Sequence, residues 1–206
     1  MRPVCIVMAA GVGKRFGANK LLADFAGKPL FLWALEAIDK TCFSEVIVVT
    51  GHEPVAAAAE ELGFRVVRND WPEDGVSRTI RLGLQAAGEC SGALFMTADQ
   101  PLLTAETLRK LVRRFAEEPQ YIYAAAHDGV RGNPCLFPWE FFEELSALQG
   151  DTGGAAVIRK HPERLRLAEV PEWELFDCDT PETMAICREK AEEKYQNYAK
   201  KCLTSI

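Results

Sequence analysis

The sequence has no CxxC pair and no cluster of cysteine and histidine at zinc-binding spacing, although it contains seven cysteines. Cys5, Cys42, Cys90, Cys135, Cys178, Cys187 and Cys202 are scattered and odd in number, which excludes a disulfide-framed secreted fold and reads as reduced thiols of the cytoplasm. Positive charge is in deficit: 24 Lys and Arg against 30 Asp and Glu give a net charge of −6, which argues against a broad nucleic-acid surface. Long apolar runs are missing. The first one, after Arg2, stops within about ten residues, too short for a membrane span and without a signal-peptide cleavage pattern. The expectation is therefore a cytoplasmic protein with neither membrane nor nucleic acid as partner. Histidine is scarce. His127 and His161 have no acid or serine at a telling spacing, and His52, after Gly51, reads as a surface residue. There is no internal repeat and no low-complexity linker.

What is present is an ordinary globular composition, 206 residues with 48% hydrophobic and 26% charged, enough to bury one sizeable core. Short β-rich runs at 4–8, 45–50, 65–67, 92–98 and 121–126 alternate with helical patterns at 29–39, 54–62, 77–87 and 105–117. The strands are apolar on both faces, so the pattern predicts an α/β fold with a mostly parallel central sheet covered by helices. After residue 127 the rhythm changes to a strand around Cys135-Leu136-Phe137, an acidic helix in WEFFEELSAL and a return through RLRLAEV and ELFDCD. Thr180-Pro181-Glu182 opens a last helix, Thr as cap and Pro in the first turn, which runs into the charged segment 191–206, expected to be a solvated extension. Trp71, Trp139 and Trp173 are expected to anchor the core or cover an apolar edge rather than stack on a ligand.

The segment MAAGVGKRFGANKLL, from Met8 to Leu22, follows the first strand. Its glycines let successive amides converge on phosphate oxygens, and Lys14, Arg15 and Lys20 would add positive charge beside them. A tight turn with its cations in water is the alternative. A Walker loop is excluded, because Gly13-Lys14 is followed by Arg15 where that loop needs Ser or Thr for magnesium. The dinucleotide fingerprint is a poor fit, since Gly11, Gly13 and Gly17 are spaced one residue too widely at the second gap. Two acids stand where strands end: Asp99 in TADQPLLT, and Asp179 in FDCDTPET with Asp177 at strand spacing on the same face. Each can hold a cation, but Asp99 also suits a turn before Pro101, and Asp179 with Thr180 suits a helix start.

The motif AAG-x-G-x-R-F-G-x-N-K-L-L followed by Gly27-Lys28-Pro29-Leu30, the A-D-Q-P-L around Asp99 and the D-x-D-T-P-E around Asp179 together resemble the MobA-like nucleotidyltransferases, in particular the molybdenum-cofactor cytidylyltransferases. Three separated motifs agree, and the resemblance extends to about residue 190. It implies a three-layer Rossmann-like nucleotidyltransferase (GT-A-like) fold over 1–190, with residues 1–105 as nucleotide half and 106–190 as acceptor half. It implies that Gly11, Gly13, Lys14, Arg15 and Lys20 wrap the triphosphate, with Ala9 and Ala10 under the base. Arg15, Lys20 and Asp99 become the catalytic candidates. Asp99 and Asp179 would share Mg2+, with Mn2+ as the alternative cation, and Asp177 would stand just outside. Asn69, Ser77 and Thr79 match the stretch near base and ribose, where Arg78 departs from the usual small residue and where helix capping is the other reading of Ser77. Gly132, Asn133, Pro134 and Asp151 match the acceptor side. There the chain reads Gly154-Ala155 in place of the usual Ala-Arg, which leaves Arg159 and Lys160 as substitutes for a phosphate-holding arginine.

The activity so implied is transfer of CMP from CTP to the phosphate of molybdopterin carrying molybdenum, with pyrophosphate leaving. The alternatives are guanylyl transfer in the same pathway, transfer to a sugar phosphate, or a nucleotide-binding chaperone that inserts the cofactor into a molybdenum hydroxylase client.

Overall fold

Val4–Met8 (β1) is apolar at every position, so it is stable only with both faces covered, and it lies in the middle of a seven-stranded sheet. The computed structural model describes residues 1–11 and 19–203, with side chains as far as residue 193. In chain order β1 is followed by a two-stranded hairpin, β2 (Asp24–Phe25) with β3 (Lys28–Pro29), then by α1 (Leu30–Glu36), β4 (Val46–Thr50), α2 (Glu53–Glu61) and β5 (Arg65–Arg68). Next come α3 (Val76–Ala86), β6 (Gly92–Thr97), α4 (Ala105–Glu117), β7 (Ile122–His127), β8 (Val130–Pro138), α5 (Phe142–Ser146), α6 (Ala155–Lys160), β9 (Leu165–Glu169) and α7 (Pro181–Leu203).

The sheet order is β5-β4-β1-β6-β8-β7-β9, with β8 antiparallel to both of its neighbours and every other pairing parallel. Side chains alternate across the sheet. Cys5 and Val7 of β1 enter one core with residues of α1, α2 and α4, while Val4 and Ile6 enter a second core with residues of α3, α5 and α6. The result is the three-layer, mostly parallel α/β architecture expected from the alternating runs. On the second face α3 lies close enough to β1 that a Cβ on Gly83 would stand 2.5 Å from Ile6 Cγ2.

The departures from expectation have local causes. Helix α1 stops at Glu36, because Asp39 takes the Thr41 amide and opens a separate 3-10 turn over Lys40–Cys42. WEFFEELSAL divides into a 3-10 turn, Trp139–Phe141, and the short α5. ELFDCD forms a 3-10 turn, Glu172–Leu175, and then an unpaired segment, so Asp177 and Asp179 are not on a strand; the Asp179 amide donates instead to the Asp177 carbonyl at 3.0 Å. Trp71, Trp139 and Trp173 are 54%, 65% and 41% exposed, so of the two expected roles, anchoring the core or covering an apolar edge, the first is corrected. Helix α7 begins as expected, with Thr180 Oγ1 accepting the Thr183 amide and Thr183 Oγ1 accepting the Thr180 amide. The helix is continuous across residue 190, and Ala191 is buried with Phe25, Leu30, Leu102 and Met184. No described helix is long and apolar enough to cross a membrane.

Candidate active site

In a parallel α/β sheet the loops that leave the carboxyl ends of the central strands frame a crevice, because the crossover helices occupy the faces. Here β1, β4 and β6 end at Met8, Thr50 and Thr97, and a cavity of ≈380 Å³ opens above β1 and β6. Ala10 and Gly11 line it from the β1 loop, Lys20 from the turn that Asn19 caps, Asp99 from the β6 loop, Pro72, Glu73 and Thr79 from the α3 side, and Asp151 from the loop before α6. The β1 loop is pinned from β4: Thr50 Oγ1 donates to the Ala9 carbonyl at 2.8 Å, and His52 Nε2 lies 3.1 Å from the Gly11 carbonyl. Gly13, Lys14 and Arg15 lie outside the described residues.

Lys20 and the two expected acids converge. Lys20 Nζ is 2.5 Å from Asp99 Oδ2 and 2.5 Å from Asp179 Oδ1, which brings the two carboxylates onto one ammonium although eighty positions separate them in the chain. The backbone makes the junction, because the Cys178 amide donates to the Asp99 carbonyl at 3.0 Å. Burial, the largest single influence, works against the charge on Lys20, but Asp99 and Asp179 together outweigh it and hold the ammonium above the ordinary lysine value. Asp177 keeps an exposed edge, yet loss of water around its carboxyl first and the Asp99 and Asp179 charges second push that carboxyl up to about 7.

Asp99 Oδ1 is buried and has no hydrogen-bond partner among the described residues. An orphaned carboxylate oxygen in a buried position is costly unless something else occupies its lone pairs. Two converging carboxylates, one with a free oxygen turned inward, fit a hard divalent cation, which takes one or two carboxylates and completes its shell with phosphate and water.

The structure separates the other candidates. Thr79 lines the cavity, whereas Asn69 and Ser77 do not. Asn69 is fully buried: its amide nitrogen donates to Thr79 Oγ1 at 3.1 Å, and its oxygen accepts from the Trp71 amide and from Arg78 Nε. Arg78 also pairs with Asp74 and lies over the Trp71 ring, so it ties the 69–74 loop to α3. Ser77 is no cap. Gly75 holds that position, and Ser77 Oγ is buried without a partner among the described residues while its amide donates to the Gly150 carbonyl.

A second cavity, ≈420 Å³, adjoins the first and shares Met8, Val76 and Thr97 with it. Gly132 and Asn133 line it, while Pro134 and Asp151 do not; Asp151 belongs to the first cavity. Neither expected cation reaches it: Arg159 is exposed on α6, and Lys160 pairs with Glu144 at 2.7 Å. Two lining residues escaped the sequence reading. Thr97 stands on the shared wall with Oγ1 buried and without a partner among the described residues, and nothing in GALFMTA marks it. Arg131 was hidden by the glycines and proline around it.

The loop that carries Asp151 is seated by Gly75, whose φ is +91°, and a Cβ there would stand 2.2 Å from the Gly150 carbonyl carbon. Gly75→Ala is expected to cost at least about 2 kcal/mol, from backbone strain plus displacement of the 150–151 loop. That is roughly 5 °C of melting temperature for a chain of this size. Gly129→Ala is the control, with φ +76° but open space around it, and equal losses in both variants would contradict the close approach.

The MobA-like NTP transferase domain matches residues 5–165. The chain is 33% identical over 111 residues to a 3-deoxy-manno-octulosonate cytidylyltransferase of Bdellovibrio bacteriovorus, covering 52% of this chain and 44% of that protein. It is 33% identical over 112 residues to a probable molybdenum cofactor guanylyltransferase of Thermococcus gammatolerans, covering 53% and 54%. The chain thus spans about half the length of these curated relatives. Among solved structures, a nucleotidyl transferase from Methanothermobacter thermautotroptrophicus superposes with a TM-score of 0.78 at 24% identity, over 94% of this chain and 99% of that one.

Proposed function

Because the chain belongs to the MobA-like NTP transferase domain family, we propose that it is a nucleotidyltransferase that moves CMP from CTP to the phosphate of molybdenum-bearing molybdopterin and releases pyrophosphate. The observation that carries the reading is the convergence of Lys20, Asp99 and Asp179 at the mouth of a nucleotide-sized cavity that opens into a second one. Nucleotidyl transfer needs that arrangement: a triphosphate in one compartment, an acceptor in the other, and the α-phosphorus at the junction.

The acceptor's phosphate oxygen is already anionic, so the reaction demands no strong general base. The work left to the side chains is alignment and charge neutralisation. Lys20 supplies a compact cation for the triphosphate oxygens, and the β1 loop supplies main-chain amides. Asp99 and Asp179 are the residues that would hold a divalent cation, which when bound neutralises charge on the transferring phosphoryl group. Asn69 and Arg78 act at a distance by fixing the loop that carries Pro72 and Glu73.

The choice of CTP rests on Ala10. It lines the cavity and is buried, where guanine-using members of the family carry glycine, and its methyl narrows the space for a purine. Packing of this kind discriminates by about 1–3 kcal/mol, so the expected preference for CTP over GTP is tens- to hundreds-fold. Ala10→Gly is expected to relax it. The test is pyrophosphate release with molybdenum-bearing molybdopterin and either nucleotide at matched, subsaturating concentration. Equal rates, or faster release with GTP, would overturn the cytidylyl assignment.

A further inference from the structure

The second cavity has a distinct chemical character. Ile80, Phe95, Phe137 and Leu145 give it an apolar wall, with the two phenylalanine rings edge to face at 6.0 Å. Among the described residues only one cation lines it, Arg131 on β8. The only hydrogen bond of the Arg131 guanidinium among the described residues is a long one, 3.9 Å to Cys135 Sγ, and it forms no ion pair with a described carboxylate. Asp177 is the carboxylate of the described lining, and it forms no ion pair with Arg131. A half-buried guanidinium beside an apolar wall is costly without an anion, and its fork of donors suits a phosphate or carboxylate.

The register of the sheet gives Arg131 its place. β8 is antiparallel to both β6 and β7, and Arg131 pairs with Ala126 near the carboxyl end of β7, with two extra residues of β8 taken up between Arg131 and Cys135. Arg131 therefore stands at the end of the sheet that carries the acid cluster, it lines the cavity together with Asp177, and its side chain turns back toward Cys135. With Arg159 and Lys160 directed elsewhere, no other described side chain brings positive charge into this compartment.

We propose that Arg131 is the acceptor-binding cation: it holds a phosphate oxyanion of the acceptor at the rim of the second cavity while the Phe95–Phe137 wall receives the acceptor's flat, less polar body. The assignment of molybdopterin as that acceptor rests on the proposed function; the anion site itself does not.

Arg131→Gln and Arg131→Lys test it in two ways. In steady-state assays with molybdenum-bearing molybdopterin, Arg131→Gln is expected to raise the acceptor KM roughly 10- to 100-fold with the CTP KM within twofold of wild type. Arg131→Lys, which keeps the charge but not the fork, falls between the two and serves as the second variant if Arg131→Gln lowers the melting temperature. In the other arm, inorganic phosphate is titrated calorimetrically into enzyme saturated with a non-hydrolysable CTP analogue. Wild type is expected to bind it and Arg131→Gln to lose at least tenfold in affinity. An unchanged acceptor KM in Arg131→Gln overturns the proposal. If wild type does not turn over molybdopterin, the proposed function fails and the phosphate arm decides alone: loss in Arg131→Gln sustains the anion site, whereas equal binding, or no binding by wild type, removes it.

Discussion

Asp99→Asn is expected to lower turnover by about three orders of magnitude, the equivalent of several kcal/mol of lost charge stabilisation at the reacting phosphoryl group. The amide keeps the shape of the side chain but is a poor ligand for a hard divalent cation. In the wild type Oδ1 is buried without a partner among the described residues and Oδ2 faces Lys20, so both oxygens are set aside from the packing of the core. What Asp99 gives to the fold is its main-chain carbonyl, which accepts the Cys178 amide and survives the substitution. The melting temperature should therefore move by only a few degrees. Asp179 is half exposed, so Asp179→Asn is expected to lose less, one to two orders of magnitude. Pyrophosphate release at limiting and saturating Mg2+ checks both. Wild-type rates in Asp99→Asn at limiting Mg2+ would remove the carboxylates from the reaction.

Lys20→Ala should weaken triphosphate binding by roughly 10- to 150-fold, because a charge-assisted contact to converging anionic oxygens is worth about 1.5–3 kcal/mol. Equilibrium binding of a non-hydrolysable CTP analogue measures it, and unchanged affinity would take Lys20 out of the site. A pH signature accompanies the loss. Lys20 has a folded-state pKa above its ordinary value, so its ion pairs stabilise the wild type fully below about pH 10.5 and fade as pH rises through the raised value. Chemical denaturation of wild type and Lys20→Met at low Mg2+ should show a constant stability gap through neutral pH that closes only in strongly alkaline solution.

The central sheet was legible because its strands are apolar on both faces, as in VCIVM and VIVVT, a pattern that only a covered sheet accommodates. Asp99 and Asp179 stand near the ends of apolar runs and Lys20 after a glycine-rich turn, but each also suits a purely structural role, and it is the resemblance of three motifs to one family that joins them in a site. That resemblance also implies that Asp99 and Asp179 meet; what only the fold supplies is the close approach of both to Lys20 Nζ and the main-chain bond from Cys178 to Asp99. Asn69 shows the opposite case. Its neighbourhood read as a ligand contact, but its side chain is consumed by Thr79, Trp71 and Arg78, and only the fold reveals where an amide's bonds go. Thr97 and Arg131 were illegible for another reason. A threonine ending a strand and an arginine opening one are among the commonest local patterns, and what distinguishes these two is the cavity they share.

The most direct test of two compartments meeting at the acid cluster is a single-turnover reaction with CTP labelled at the α-phosphorus and molybdenum-bearing molybdopterin. The account predicts that the label appears in a phosphoanhydride joined to the acceptor, with one pyrophosphate released per label transferred, and that Asp99→Asn abolishes both together. Label recovered as free CMP at the same rate with and without acceptor, or label transfer undiminished in Asp99→Asn, would contradict it.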